Sequence, residues 1–217
     1  MNFPLTAYPI GINENGSGGM AQWFWQFLIY SFVGFVLEVA FARITRSAKQ
    51  DRKCMLLFPL CPVYGLGALA IVRLPAAIQS RPALLFLFGA LAATAVEYAA
   101  DWFCETALGV RFWDYSDRPW NLNGRVSLLF SFFWGLLAIS LVEWVHPPVM
   151  RLISAIPEGF FLPVFLLFLT DATLSVWTLR TTGTTDSLRW YARLSTTKQK
   201  TDLNEAGFED SSGIPSE

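Results

Sequence analysis

Residues 97–125 read EYAADWFCETALGVRFWDYSDRPWNLNGR. The first nine place Glu97, Asp101 and Glu105 four residues apart, so on a helix they form one stripe with about 6 Å per step. Leu85, Gly89 and Ala93 lead into Glu97 at the same spacing and keep the same face. A face that carries three acids in an apolar run points at protein and not at lipid. Were all three ionised, adjacent pairs would repel by roughly 3 kcal/mol each at an effective dielectric of 20. Relief has to come from a bound cation, a proton or an arginine. Arg125, at the start of the next apolar run, is the nearest candidate and Arg111 the second. Between the stripe and that run lies an aromatic, polar loop with Phe112, Trp113, Asp114, Tyr115, Trp120, Asn121 and Asn123, closed by Gly124 and Arg125.

Composition makes this stretch part of a membrane protein. The 217 residues are 53% hydrophobic and 16% aromatic, with a mean hydropathy of +0.40, a balance foreign to soluble domains. A spanning helix needs roughly 20 apolar residues, and five such runs occur, at 23–42, 55–76, 84–103, 127–145 and 160–179. The expected fold is therefore all-α, a polytopic bundle of five transmembrane helices over 23–179. An external segment precedes it (1–22), and a partly disordered cytoplasmic tail follows (180–217). Pro59, Pro62 and Pro75 in the second run and Pro163 in the fifth are tolerable in membrane helices, where neighbours satisfy the freed carbonyls.

Sidedness follows from the cations. Arg43, Arg46, Lys49, Arg52 and Lys53 fall between runs one and two, Arg111, Arg118 and Arg125 between three and four, and Arg180, Arg189, Arg193, Lys198 and Lys200 after five. These are thirteen of the 16 Lys and Arg residues. The positive-inside rule then puts the N-terminus outside and the C-terminus in the cytoplasm, in a multi-pass protein of the cell's inner membrane. The basic loop reads as a topology determinant against anionic headgroups, without the aromatic interleaving of a nucleic-acid surface. Residues 1–20 lack the pattern of a cleaved signal, so the first span is expected to serve as its own.

The remaining chemistry-bearing residues read blandly. Cys54, Cys61 and Cys104 lack CxxC spacing and are expected to be isolated thiols on the reducing side. His146, the single histidine, reads as a solvated interfacial residue, and Pro147-Pro148 as the end of span four. Gly65 and Gly67 predict a kinked second helix that packs closely; Ser131 and Gly135 are expected to face a neighbour. In the tail, SLRWYARL places Leu188, Tyr191 and Leu194 on one side, as an interfacial helix would. No GxxxxGK[ST] motif occurs, and no cofactor or metal is expected.

Topology brings the acids together. Glu38, Glu97 and Asp101, with Asp171 from the fifth run, all fall in the cytoplasmic half, and Glu105 lies at that face. A charge inside the bilayer costs at least about 3 kcal/mol on insertion scales, so each acid needs a partner. The expectation is one cytoplasm-facing cavity, walled by spans one, two, three and five and capped by residues 112–123. Its binding residues would be Glu38, Tyr64, Glu97, Asp101, Glu105, Trp113, Asp114, Tyr115, Asn121, Asn123, Arg125 and Asp171. The competing arrangement is a set of ion pairs, such as Glu38 or Glu97 with Arg125, that only fixes helix packing.

Several of these segments resemble the type IV ABC-transporter permease family, the CmpB-like small membrane proteins of bacteria. The resemblance rests on YSFVGFVLE ending at Glu38, PLCPVYGLG from Pro59 to Gly67, Glu97-Tyr98 with Trp102 and Glu105, FWDYS ending at Ser116, and NLNGR ending at Arg125. It runs from about Trp23 to Pro147, with Asp101 standing where a small hydroxyl residue is usual. It implies transport and a separate ATPase subunit.

On the residues alone, the leading expectation is a membrane transport component. Its cavity takes a cationic or amine-bearing solute on Glu38, Glu97 and Asp101, with Trp113 and Tyr115 stacking over the cation. A membrane enzyme acting on a lipid headgroup, with Arg125 gripping a phosphate, ranks lower because no nucleophile and base stand out. A scaffold that carries no chemistry is the third reading. Five spans make a thin wall around any pathway, which favours a homodimer or larger complex.

Overall fold

The computed structural model describes residues 17–46 and 53–189. The N-terminal segment up to residue 16, most of the basic loop and the tail from residue 190 lie outside the described residues. Helix α1 (Ser17–Ile44) runs through the first apolar run. Residues 53–61 are non-helical and lead into α2 (Pro62–Val72) and the short α3 (Ala76–Gln79). Helix α4 (Pro82–Phe103) carries the acidic stripe and passes into a π turn, Cys104–Leu108. A two-stranded hairpin follows, β1 (Asn121–Leu122) antiparallel to β2 (Val126–Ser127). Helix α5 (Leu128–Ser140), a second π turn at Leu141–Val145 and α6 (His146–Ser154) make one continuous helical rod. Helix α7 (Phe161–Thr182) comes last, followed by a 3-10 turn at Thr185–Leu188.

Among the described residues, four helical stretches are long and apolar enough to cross a membrane: Gly19–Ile44, Pro82–Leu108, Leu128–Ser154 and Glu158–Thr182. The second apolar run is the exception. It was expected to form a helix over 55–76, and its helix covers only the 11 residues of α2. At 1.5 Å per residue that is about 16 Å, half the hydrocarbon thickness. Pro59 and Pro62 remove two amides from the first part of the run, and the residue before a proline is driven toward extended backbone. Cys61, with φ −120° and ψ 92°, has that conformation. Three of the amides that remain are satisfied from α7. The Asp171 carboxylate accepts from the N–H of Leu57 at 2.9 Å and of Phe58 at 2.8 Å, and Ser175 Oγ accepts from Leu56 N–H at 2.8 Å. Non-helical backbone among apolar helices is tolerable where protein groups pair it.

Pro147-Pro148 also acts differently from expectation. The rod continues past them because they occupy the first turn of α6, where their missing amides cost least, and the π turn before them absorbs the change of register. Met150 to Ser154 complete that helix.

The core sits where α4, α2 and α5 meet. Ile71, Leu85, Ala93, Trp134 and Ala138 form its buried cluster. The face of α4 read from sequence is the face observed: its buried residues are Leu85, Gly89, Ala93, Glu97 and Asp101. Backbones approach through small residues, as membrane helix packing favours. A Cβ at Gly89 would overlap Ala138, and one at Gly65 would overlap Ser31 and the Phe27 carbonyl. Gly67 makes no such close approach. Ser131 and Gly135 do meet neighbours, Thr94 by a 2.8 Å hydrogen bond and Phe86 by contact. Helix α7 lies against α1 through Phe24 and Phe27, whose rings contact Phe161, Phe165 and Phe168. At the tail, Leu188 is buried with Leu108, Val110 and Leu179 at the end of a 3-10 turn; residues 190–194 of the expected interfacial helix, with Tyr191 and Leu194, lie outside the described residues.

Candidate functional site

The polar cluster is built on α4. Its stripe of buried small residues admits close neighbours, so Glu97 and Asp101 lie 5% and 0% exposed at the packed end. The π turn then swings Glu105 outward to the surface. Each acid is held differently. Glu97 accepts from Trp134 Nε1 at 3.0 Å and from Tyr115 Oη at 3.1 Å, two neutral donors, and no cation of the described residues pairs with it. Asp101 Oδ2 takes Arg125 at 2.7 Å and Arg111 Nε at 3.3 Å. Its Oδ1 is buried without a hydrogen-bond partner. Arg125 also pairs with Glu105.

A hairpin aims Arg125. Asn123 and Gly124 both have positive φ, 56° and 68°, the backbone that an Asn-Gly turn supplies at least strain. Arg125 N–H bonds Leu122 O at 3.0 Å to close the turn. Gly124 is required twice over, because a Cβ there would also meet Ser116 and Asp114. Trp113 Nε1 to Arg125 O at 2.9 Å and Tyr115 N–H to Gly124 O at 2.8 Å tie the loop to the hairpin, Gly124 N–H to Asn121 Oδ1 at 2.9 Å braces the hairpin itself, and Asn123 Nδ2 to Tyr98 Oη at 3.0 Å ties it to α4. Asp114 caps its own loop, accepting from the hydroxyl and the amide of Ser116, and these bonds hold its carboxyl below the usual carboxylate range. Arg111 lies 3.6 Å from it.

Glu38 joins the cluster from α1. Tyr64 Oη donates to Glu38 at 2.8 Å, and the Tyr64 ring lies 5.0 Å from the ring of Trp134, the residue that donates to Glu97. A run of contacts thus leads from Glu38 through Tyr64 and Trp134 to Glu97, and along the stripe to Asp101 and its arginines. Close approach makes it: Gly34, one turn before Glu38, leaves room for the Tyr64 ring. A cavity of about 70 Å³ lies on the far side of Tyr64 and Trp134, between α1, α2 and α5, with Ala68, Ile71 and Leu141 in its apolar lining.

Of the residues singled out from sequence, Glu38, Tyr64, Glu97, Asp101, Glu105, Tyr115 and Arg125 come together here. Trp113, Asp114, Asn121 and Asn123 hold the loop around them. One stands otherwise placed. Asp171 is committed to the amides of Leu57 and Phe58, and α5 rather than α7 contributes the wall beside Glu97. The Tyr115 ring is stacked on Phe130 at 4.6 Å, so that face is occupied. Sequence reading passed over Trp134, although a tryptophan in mid-span, away from either interface, needs a partner for its buried N–H. It also passed over the Asn-Gly signal of the hairpin. His146 is no solvated residue: its Nδ1 lies 2.5 Å from Tyr30 Oη, joining α6 to α1. No three His, Cys, Asp or Glu side chains converge as a metal site among the described residues.

No curated protein and no solved structure matches the chain. The apolar helices make it a multi-pass membrane protein. A family model described as "Putative ABC-transporter type IV" matches residues 25–176, which takes in the whole cluster and extends past Pro147 to include Asp171. The match covers well over half of the 217 residues, and the chain belongs to that membrane-transport family.

Proposed function

We propose that this protein is the membrane-embedded component of a transporter for a cationic or amine-bearing solute, and that Glu97 is the group that binds it. The observation that carries this reading is the contrast along one helix face. Asp101 and Glu105 have arginines, whereas Glu97 is buried with only Tyr115 and Trp134 as donors. An isolated buried carboxylate is too costly to persist, so Glu97 holds a proton or a cation. Asp101 Oδ1, buried, unpartnered and one turn away, is a second acceptor for the same ligand. Glu38 supplies further negative charge across Tyr64 and Trp134. The ligand enters from the cytoplasmic side, which the distribution of cations assigns to the loop, in the inner membrane. Family membership supports a separate ATPase subunit as the source of energy, and a second copy of the chain would complete the wall of the pathway.

The lipid-headgroup reading is not favoured, since Arg125 and Arg111 are both engaged by acids. Equilibrium exchange of a radiolabelled primary amine across liposomes holding the purified protein tests the proposal, because exchange needs no ATPase. The expected result is saturable exchange that Glu97→Gln abolishes. Equal exchange with and without Glu97→Gln, or none in either, would overturn it.

A further inference from the structure

The non-helical segment between α1 and α2 brings two thiols together. Cys54 and Cys61 stand seven residues apart with no motif between them, yet their Sγ atoms lie 2.9 Å from each other. The arc that joins them is held at several points. Leu56, Leu57 and Phe58 donate their amides to Ser175 and Asp171, Lys53 Nζ donates to Leu56 O at 2.6 Å, and Cys61 N–H donates to Ser31 O at 2.9 Å. Met55 and Leu60 are buried. The two ends are therefore fixed facing each other by the fold. A disulfide bond is about 2.05 Å long, so closure requires the sulfurs to approach by under about 1 Å, which side-chain rotation supplies.

We propose that Cys54 and Cys61 form a reversible dithiol–disulfide site, oxidised by exchange with a small disulfide of the glutathione type. Exposure sets the order of events: Cys54 is half-buried and Cys61 buried. The Cys54 thiolate attacks one sulfur of the glutathione disulfide, which forms a mixed disulfide and releases one glutathione thiolate. The Cys61 thiolate then attacks Cys54 Sγ, which forms the Cys54–Cys61 bond and releases the second. The two protein thiol protons end on the two glutathione thiolates, so two protein thiols are oxidised and one glutathione disulfide is reduced. Transient disulfides of this kind are how thiols facing a reducing compartment act as sensors. The bond would fasten the arc whose amides Asp171 holds, at the entry to α2. This inference rests on the geometry of the arc and not on the identity of the transported solute.

The test uses the full chain in detergent, equilibrated with graded ratios of oxidised to reduced glutathione, quenched in acid, then denatured and labelled with a maleimide. The expected result is that labelled thiols fall from three to one, with a Cys54–Cys61 cross-linked peptide, Cys104 labelled throughout and full recovery on reduction. Cys61→Ser should stop at glutathione on Cys54. A persistent glutathione adduct on Cys54 in the unsubstituted chain, a cross-link that includes Cys104, or three labelled thiols at every ratio would each overturn the proposal without bearing on amine transport.

Discussion

Asp171→Ala is expected to lower the stability of the folded chain by about 3–5 kcal/mol, because it strands the amides of Leu57 and Phe58 at a cost of about 1–3 kcal/mol each and removes two charge-assisted hydrogen bonds. The residue is fully buried and both of its oxygens are in use. Water is not at hand to replace the lost acceptor among apolar helices, which keeps the penalty near its upper range. Asp171→Asn retains one carbonyl oxygen but sets an N–H₂ group against a backbone N–H, so it should lose at least half as much. Thermal unfolding in detergent followed by circular dichroism measures the effect, and hydrogen exchange localises it. The amides of residues 56–58 should lose protection before any other part of α7 or α2. An Asp171→Ala protein as stable as the unsubstituted one would mean that the segment finds other partners, and the reading of Asp171 as its anchor would be wrong.

Trp134→Ala is expected to cost a further class of interaction and about as much. Its side chain fills the space between α2, α4 and α5 with Ile71, Leu85, Ala93 and Ala138 around it, and large-to-small changes of a buried aromatic cost about 3–5 kcal/mol. The more informative variant is Trp134→Phe, which keeps most of the ring volume and deletes the N–H that donates to Glu97. That change should cost about 1–3 kcal/mol by leaving one carboxylate oxygen unsatisfied in the core. Glu97→Gln combined with Trp134→Phe should cost less than the two single changes added together, since the residues are in direct contact. Additive costs would mean that the bond contributes nothing.

How far the sequence reveals this arrangement depends on which signal each residue carries. The buried face of α4 was legible because small and acidic residues recur every four positions from Gly89 to Asp101, and nothing but a helix face packed on protein accommodates that. Arg125 was legible as their partner from its place at the start of the next apolar run. The second run was misread as a full span because hydropathy does not distinguish a helix from an apolar arc. Its first two prolines, Pro59 and Pro62, three residues apart, were the sign that helix begins only at the second of them. The role of Asp171 was hidden for the same reason: a carboxylate that serves backbone amides has no sequence partner to point to it. The meeting of Cys54 and Cys61 is likewise a product of that arc, and no spacing rule for helices would bring residues seven apart to a bond's reach in this way. The π turns at Cys104–Leu108 and Leu141–Val145 were not legible at all, since single widened turns have no distinctive composition.

The most direct test of Glu97 as the ligand-binding group is the shift in unfolding temperature that a panel of primary and quaternary amines produces in the purified protein and in Glu97→Gln. A ligand at 100 times its dissociation constant stabilises the state that binds it by about 2.7 kcal/mol. At least one amine should raise the midpoint of the unsubstituted chain in a concentration-dependent way and leave Glu97→Gln unmoved. The same shift in both proteins, or no shift with any amine, would contradict a cation-binding role for this carboxylate.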